Sequence, residues 1–333
     1  MVFVTAVDLI TGPGVGLLPL VSLGPAFAGL TGGWRRTAFI GAAAIALCLG
    51  LSAYDGLLGT RRGLTALLSV VGVTAAGLAA AVRRQRREAE LASVRSIAEV
   101  AQRVLLRPVP QRAGQLRVAV SYTSAMAEAR IGGDLYEVVT SPQGIRVIVG
   151  DVQGKGLEAV ETTAVVVGVF REAAYDEPSL GAVGGRLERA LDRHLGQEKF
   201  VTAILAEVRD DNTLTLLNYG HPAPLSVGSD GAVRFLEPPG RALPLGLGEH
   251  GVPGPKPYEM PFRSGDQVLF YTDGVSEARD HSGTFYPLET RAHRLRMPDP
   301  DMALAAVRED IMAHVEGPLQ DDAAMLLLRY RPD

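Results

Sequence analysis

The segment Ile145-Arg-Val-Ile-Val-Gly-Asp-Val-Gln-Gly-Lys-Gly decides how the rest of the chain is interpreted. Its β-branched first half predicts a strand, and its second half predicts a glycine-rich turn. Apolar residues then recur at helical spacing, which predicts a helix from Gly156 to Ala174. Asp151 lies where the strand meets the turn. The segment therefore predicts a carboxylate held at the rigid end of a strand, directly before a helix.

Three more aspartates occupy comparable positions, each at a junction between an apolar segment and a turn. Asp134 closes Arg-Ile-Gly-Gly-Asp, Asp273 lies in Phe-Tyr-Thr-Asp-Gly-Val, and Asp321 precedes a second acid and an apolar run. Adjacent strand ends can converge, and clustered carboxylate oxygens bind hard divalent cations such as Mg²⁺ and Mn²⁺. The four positions together predict a metal-dependent enzyme.

The pattern after residue 115 favours an α+β fold. Strands are predicted in succession, helices are grouped between them, and residues 237–257, rich in Pro and Gly, predict a loop. This order favours a layered sandwich over a doubly wound sheet. The predicted strands are 116–122, 135–139, 145–149, 200–208, 213–219, 222–227, 232–236, 267–271 and 323–329, and the later helices are 181–195 and 300–315.

Six short motifs follow one another in a specific order. They are Gly132-Gly-Asp-Leu-Tyr, Gly150-Asp-Val-Gln-Gly-Lys-Gly, Asn218-Tyr-Gly-His-Pro, Pro244-Leu-Gly, Tyr271-Thr-Asp-Gly-Val-Ser-Glu-Ala and Gln320-Asp-Asp. Each motif alone is weak evidence for a family, but the ordered set resembles the SpoIIE-type branch of the metal-dependent (type-2C, PPM) protein serine/threonine phosphatases. The resemblance covers residues 97–329 and leaves out the first quarter of the chain.

The resemblance implies a layered α/β/β/α sandwich with two Mn²⁺ or Mg²⁺ ions at one end. It implies that Asp151 bridges both ions and that Asp151 and Asp273 carry the catalytic role. Asp321 is preferred over Asp322, because the family pattern is two acids, a small residue and then Thr. The implied metal ligands are the carboxylates of Asp134, Asp151, Asp273 and Asp321 and the backbone carbonyl of Val152.

The implied reaction is hydrolysis of phosphoserine and phosphothreonine by water that the two ions activate. Two cations about 4 Å apart can clamp a phosphate and lower the pKa of a shared water, so no side-chain nucleophile is required. Gly154, Lys155 and Gly156 are candidates for phosphate or substrate binding at the helix start. A plain helix-entry turn and a solvated lysine are the alternatives. His221 has a setting that favours a structural hydrogen bond over a general acid.

Two positions depart from the family pattern. Glu137 stands where the family has Asp after Gly-Gly-Asp-x-Tyr, and Ala324 stands where Thr follows the two acids. Neither removes an expected ligand, so we expect activity to survive with altered substrate positioning.

The first quarter of the chain predicts about three transmembrane helices in residues 1–83. Three runs without charged residues lie between Asp8 and Arg35, from Thr37 to Tyr54 and from Gly63 to Val82; spans need about 20 apolar residues. The first helix is expected between residues 15 and 30. The basic cluster at 83–87 then predicts a multi-pass protein of the plasma membrane, in contact with lipid, whose catalytic domain is cytoplasmic.

Residues 84–110 predict a linker helix ahead of the phosphatase domain at 111–333. Its apolar positions at 91, 94, 98, 101 and 105 follow a short heptad seam. This seam predicts either a homodimer or packing on the chain's own catalytic domain.

Composition limits the partners and the cross-links that the chain can have. The net charge of −4 gives no electrostatic indication of a nucleic-acid partner, and the single cysteine, Cys48, excludes an internal disulfide framework. The resemblance implies a phosphorylated protein substrate, such as an anti-sigma-factor antagonist in bacterial signalling. The alternatives are a catalytically weak binding module with the same fold, and a phosphohydrolase of small molecules.

Overall fold

A computed structural model describes residues 18–124, 133–194, 199–248 and 254–331, apart from the side chains at 95, 96, 98, 99 and 103. The chain divides into two compact units, Met1–Val94 and Arg95–Asp333. The first half of Gly132-Gly-Asp-Leu-Tyr and the start of the first predicted span lie outside the described residues.

The described part of the first unit is helical. A 3₁₀ turn at Leu18–Ser22 leads into α1 (Leu23–Thr31), which is followed by α2 (Trp34–Tyr54) and by α3, which begins at Arg61. Two segments, Trp34–Tyr54 and Arg61–Val94, are long and apolar enough to cross a membrane by length and composition alone. The described part of the helix predicted from residue 15 to residue 30 comprises the 3₁₀ turn and α1, which together form an apolar helical segment over Leu18–Thr31.

Small residues let these helices approach closely. A Cβ on Gly29 of α1 would lie 2.8 Å from the Cα of Gly77 in α3. Gly41 of α2 faces the side chain of Thr74 with no room for a Cβ. Small residues at helix contacts are typical of membrane-spanning bundles, where the helices associate by close packing.

The helix α3 spans Arg61–Leu105 without interruption, so the third apolar run and the predicted linker form one element. In the second unit, Ala101 and Leu105 pack against Val160, which agrees with the alternative that the seam packs on its own domain. Leu91 and Val94 are exposed. The seam position at Ala98 has no described side chain.

Two antiparallel sheets build the second unit. The first sheet has six strands in the order β1-β2-β11-β10-β7-β8, and the second has five in the order β3-β4-β5-β6-β9. The strands of the first are β1 (Arg112–Ala113), β2 (Leu116–Thr123), β7 (Leu225–Val227), β8 (Val233–Phe235), β10 (Gln267–Tyr271) and β11 (Ala323–Tyr330). Those of the second are β3 (Asp134–Ser141), β4 (Gly144–Val152), β5 (Val201–Val208), β6 (Thr213–Tyr219) and β9 (Tyr258–Pro261).

Helices cover the outer face of each sheet, which gives the predicted α/β/β/α layers. The helices α4 (Leu157–Asp176) and α5 (Leu180–His194) lie on the five-stranded sheet, and α8 (Pro300–Val315) lies on the other. Alternate residues of β11 divide between two cores. Leu326 and Leu328 face the core between the sheets, and Met325 and Leu327 face α8.

Sequence periodicity therefore predicted the main elements within a few residues. Among the described residues it missed five short ones, because strands or helices this short carry too few residues for a periodic pattern. They are β1, β9, α6 (Asp273–Ser276), α7 (Leu288–Arg291) and a 3₁₀ helix at Ala292–Arg296.

Candidate active site

The hairpin of β3 and β4 places two of the predicted aspartates side by side. Asp134 is directly opposite Asp151 in the antiparallel register. Gly133 packs so closely that a Cβ there would overlap the carbonyl oxygen of Val152 and lie 2.6 Å from Asp151 Oδ1. The hairpin therefore holds both carboxylates and the Val152 carbonyl within one small region.

The other sheet supplies the remaining two aspartates. Asp273 begins α6, two residues after β10 ends, and Asp321 lies two residues before β11 begins. These strands are direct neighbours in the six-stranded sheet. A Cβ on Gly274 would overlap the carbonyl oxygen of Asp322, so a glycine is needed where the two strand ends meet.

Three of the four aspartates line one cleft of about 620 Å³. Asp134 is 2% exposed and lies beneath the cleft surface. The structure therefore brings the sequence-predicted residues together at one end of both sheets. The cleft is lined by Asp151, Asp273 and Asp321, together with Val152, Gly154, Lys155, His221 and Glu277.

The acids of this cleft raise one another's pKa. Burial, then the charges of Asp273 and Asp321, raise the pKa of Asp151 to about 7. Burial and the charge of Asp321 also raise the pKa of Asp273. Burial and Asp151 raise that of Asp134 well above its ordinary range, although a hydrogen bond from Thr272 opposes the shift. Without a cation, the cluster favours protonated carboxyl groups.

One positively charged side chain already contacts the cluster, since Lys155 Nζ donates to both carboxylate oxygens of Asp321 at 2.8 Å.

Within the described residues, no three Asp, Glu, His or Cys side chains stand close enough to hold one metal ion. The donor chemistry nevertheless fits Mg²⁺ or Mn²⁺, because carboxylate and carbonyl oxygens are the ligands these ions prefer. The raised pKa values show that positive charge is what the cluster lacks.

The metal-free protein should lose stability as the pH rises. The folded-state pKa of Asp151 is about 7, against an ordinary value of 3.8. Between these values the folded state keeps a proton that the unfolded state releases, so stability falls as pH rises through this window. Each unit of pKa difference corresponds to about 1.4 kcal/mol.

Thermal unfolding in EDTA at several pH values measures this effect. Asp151→Asn should flatten the fall, and added Mn²⁺ should restore stability at neutral pH. An unchanged pH dependence in the variant would show that Asp151 does not titrate in this way.

Two residues that sequence reasoning missed hold the acids in place. Thr272 donates to Asp134 Oδ2 at 2.8 Å and accepts from the backbone N–H of Ala324. Tyr122 donates to Asp322 Oδ2 at 2.5 Å, which turns that 3%-exposed carboxylate away from solvent. Thr272 could have been inferred from its place next to Asp273. No local sequence signal marks Tyr122.

The glycine-rich turn after Asp151 has the backbone that its sequence predicts. Gly154 and Gly156 have φ angles of 99° and 87°, in the region that favours glycine. Gly156 is the N-cap of α4 and makes no side-chain capping bond. The turn therefore borders the cleft with backbone groups, and Lys155 projects from it towards Asp321.

His221 has a structural role, as the sequence favours. Its Nε2 bonds to the carbonyl of Tyr271 at 3.0 Å, its Nδ1 is 3.2 Å from the Thr202 hydroxyl, and its backbone is tied to Asn218. Burial lowers the pKa of His221 to about 4. These bonds tie the His221 side chain to Tyr271 and Thr202, and its lowered pKa favours the neutral imidazole.

The two departures from the family pattern have local explanations. Glu137 is buried and accepts from Arg171 Nε at 2.5 Å, and Arg171 also donates to the carbonyl of Leu105. Glu137 does not line the cleft. Ala324 contributes its backbone groups to Thr272, so no side-chain hydroxyl is required there.

Comparisons with known proteins agree with this architecture. A profile of the family described as Stage II sporulation protein E (SpoIIE) matches residues 141–331. The phosphoserine phosphatase RsbU of Bacillus subtilis is 26% identical over 191 residues, which cover 56% of this chain and 54% of RsbU. The chain thus spans about half the length of that curated relative.

Solved structures show the same fold. The SiaA-PP2C domain of Pseudomonas aeruginosa aligns with a TM-score of 0.59 at 20% identity, covering 75% of this chain and 99% of that one. The catalytic domain of the serine/threonine protein phosphatase PstP, in complex with two manganese ions, aligns with a TM-score of 0.50 at 16% identity, covering 65% and 99%. With its two sheets, its strand-end acids and the matched profile, the chain belongs to the SpoIIE family of PP2C-type phosphatase domains.

Proposed function

We propose that this protein is a metal-dependent serine/threonine phosphatase that hydrolyses phosphoserine and phosphothreonine on a protein substrate. The observation that carries the proposal is the convergence of four strand-end aspartates, two from each sheet, of which three line one cleft and Asp134 lies buried beneath it. The membership in the SpoIIE family and the similarity to RsbU, a phosphoserine phosphatase, support it.

The proposed cofactors are two Mn²⁺ or Mg²⁺ ions. PstP, which shares the fold, was solved with two manganese ions. The ligands would be Asp134, Asp151, Asp273 and Asp321, directly or through water, and the carbonyl of Val152. When bound, the ions would supply an activated water and neutralise the charge that develops on the phosphate.

The chain's own residues would position the substrate around this centre. Asp151 projects from a rigid strand end, and Asp273 from a short helix that Gly274 packs against β11. Lys155 would leave Asp321 when a cation arrives there, because one ammonium already occupies both oxygens. Its released charge, with the N–H groups of the Gly154–Gly156 turn, would then lie beside the incoming phosphate.

The test uses the full chain in detergent with Mn²⁺. The substrates are a panel of phosphoserine and phosphothreonine proteins, an aryl phosphate and nucleotides. We expect phosphoprotein hydrolysis that EDTA abolishes and Mn²⁺ restores. Preference for nucleotides would overturn the substrate class in favour of a small-molecule phosphohydrolase. Metal binding without turnover would favour the binding module.

The helices of the first unit would anchor the enzyme in the plasma membrane. The two candidate spans and the basic cluster at 83–87, near the end of the second, support a multi-pass protein with a cytoplasmic catalytic domain. The proposed substrate is an anti-sigma-factor antagonist in partner-switching signalling, and the exposed seam at Leu91 and Val94 would pair two copies. Deleting residues 1–87 should release the protein from membranes and change its activity or its oligomeric state; a soluble fragment in which both are unchanged would contradict the signalling role.

Asp321→Asn and Asp322→Asn should differ in their effect on metal binding. Asp321 lines the cleft, whereas Asp322 is buried against Tyr122 and Ser124. We expect Asp321→Asn to weaken Mn²⁺ binding by about 10-fold or more, since a charged ligand is lost. Asp322→Asn should weaken it less, because the amide can still accept from Tyr122. Calorimetric titration with Mn²⁺ measures both, and the reverse order would assign the ligand to Asp322.

A further inference from the structure

A second cleft, of about 530 Å³, lies at the opposite end of the six-stranded sheet. β11 runs from Ala323, beside the candidate active site, to Tyr330, which lines this second cleft. At about 3.3 Å per residue, that strand separates the two clefts by roughly 20 Å. We call it the arginine cleft, because its lining includes Arg117, Arg296, Arg329 and Arg331.

The charge in this cleft is unbalanced. The four arginines face one lining carboxylate, that of Asp230. Arg117 and Arg329 are direct cross-strand partners on β2 and β11, an arrangement that is unfavourable for like charges. Burial, and next the charge of Arg117, lower the pKa of Arg329. Asp299 relieves part of this repulsion, 3.1 Å from Arg117.

The arginines differ in how far the fold uses them. Arg329 donates to the carbonyls of Leu295, Met297 and Pro298 and to the side chain of Gln267. Its guanidinium is therefore used to stabilise the fold. Arg296 donates once, to the carbonyl of Gly231. The guanidinium of Arg331 makes no hydrogen bond or ion pair with any described residue. Arg296 and Arg331 thus keep donors for a ligand.

The chemistry of the cleft selects an oxyanion. Guanidinium groups bind carboxylates and phosphates through paired, charge-assisted hydrogen bonds. Its volume lies in the range of organic ligand sites. A nucleotide base would find no exposed aromatic ring to stack on among the lining residues. Their one aromatic side chain, Tyr330, is 6% exposed and bonds through its hydroxyl to Gln115 and Asn212.

We propose that the arginine cleft binds an acidic segment of a protein partner, whose carboxylate or phosphate oxygens are held by Arg296 and Arg331 with support from Arg117. This site is separate from the candidate active site and does not depend on the proposed reaction. A partner held there would contact the enzyme on a surface about 20 Å from the phosphatase cleft.

Fluorescence anisotropy with the full chain in detergent tests the proposal. The probe is a labelled peptide of alternating Glu and Ser, and its neutral control replaces Glu with Gln. The double variant Arg296→Gln/Arg331→Gln should weaken binding by about 10-fold, since two charged contacts are lost. Arg308→Gln, an exposed position on α8 away from the cleft lining, removes one charge, as each of the single variants Arg296→Gln and Arg331→Gln does, and should leave binding nearly unchanged.

The outcomes separate binding in the arginine cleft from general charge attraction and from a site for free phosphate. Binding of the Glu peptide that persists in Asp151→Asn but falls in the double variant supports the arginine cleft. Equal losses in Arg308→Gln and in the single variants would indicate general charge attraction and overturn it. Binding of inorganic phosphate, measured by calorimetry, with no affinity for the Glu peptide would overturn the assignment to a protein segment. Since Asp151→Asn lacks the proposed catalytic carboxylate, this result stands apart from the phosphatase assay.

Discussion

Asp151→Asn should abolish metal-dependent hydrolysis of a phosphoserine protein, with a loss in kcat/KM of at least about 10³-fold, or about 4 kcal/mol in the transition state. Asp151 is the residue whose pKa responds to both Asp273 and Asp321, which places it at the electrostatic centre of the cleft. Replacing its charged oxygens with an amide removes a ligand that the proposal gives to both ions.

Asp273→Asn should produce a loss of similar size, because it begins the short helix at the facing strand end. Asp192→Asn provides the matched control, since it removes one carboxylate from an exposed position on α5. Steady-state kinetics over a range of Mn²⁺ concentrations separates weaker metal binding from lost chemistry. Near-normal turnover of Asp151→Asn at saturating Mn²⁺ would remove this residue from the proposed mechanism.

Breaking the ion pair between Arg146 and Glu207 should destabilise the second unit by about 3–5 kcal/mol. Arg146 Nε lies 2.7 Å from Glu207 Oε2, and the two side chains are 0% and 8% exposed. Arg146 also donates to the carbonyls of Ala174 and Glu177, where α4 ends. Glu207→Gln would leave a fully buried guanidinium without its counter-charge, a costly state in a medium of low polarity.

Thermal unfolding measures this loss, which should appear as a melting temperature lower by about 10 °C for a unit of this size. Glu259→Gln is the matched control, because Glu259 pairs with Arg209 on the same sheet but at the surface. Exposed pairs contribute less than about 1 kcal/mol. The double variant Arg146→Met/Glu207→Met should recover part of the loss, since it leaves no unpaired charge. A Glu207→Gln protein as stable as the surface control would refute the argument.

The sequence predicted the main fold from one kind of pattern and the candidate site from another. Short apolar runs predicted strands such as β6 and β10 with their observed bounds, because nearly all of the residues in each strand are buried. The acids were found because each lies at a junction between an apolar segment and a turn. Their convergence rests on pairings such as Asp134 with Asp151, which only the register of β3 and β4 specifies.

Long-range contacts explain what the sequence left open. Arg146 lies in an apolar strand, and nothing near it indicates its pairing with Glu207 on the next strand. Arg117 and Arg329 are 212 positions apart and meet only because β2 pairs with β11. The uninterrupted α3 was divided in our prediction, because charge composition changes at residue 83 although helical propensity does not.

At the proposed metal site, the bond from Lys155 to Asp321 would make metal loading an exchange and not a simple addition. An incoming ion would have to displace the ammonium of Lys155, which is tethered to the turn beside the site, so the lysine would compete at a fixed local concentration that dilution does not lower. The metal concentration needed for half-activation then reflects this internal competitor as well as the oxygen ligands. Shortening or neutralising the Lys155 side chain would lower the metal concentration needed for half-activation. In the unaltered protein, the free Mn²⁺ or Mg²⁺ of the cell would set the fraction of molecules in which metal has replaced the lysine.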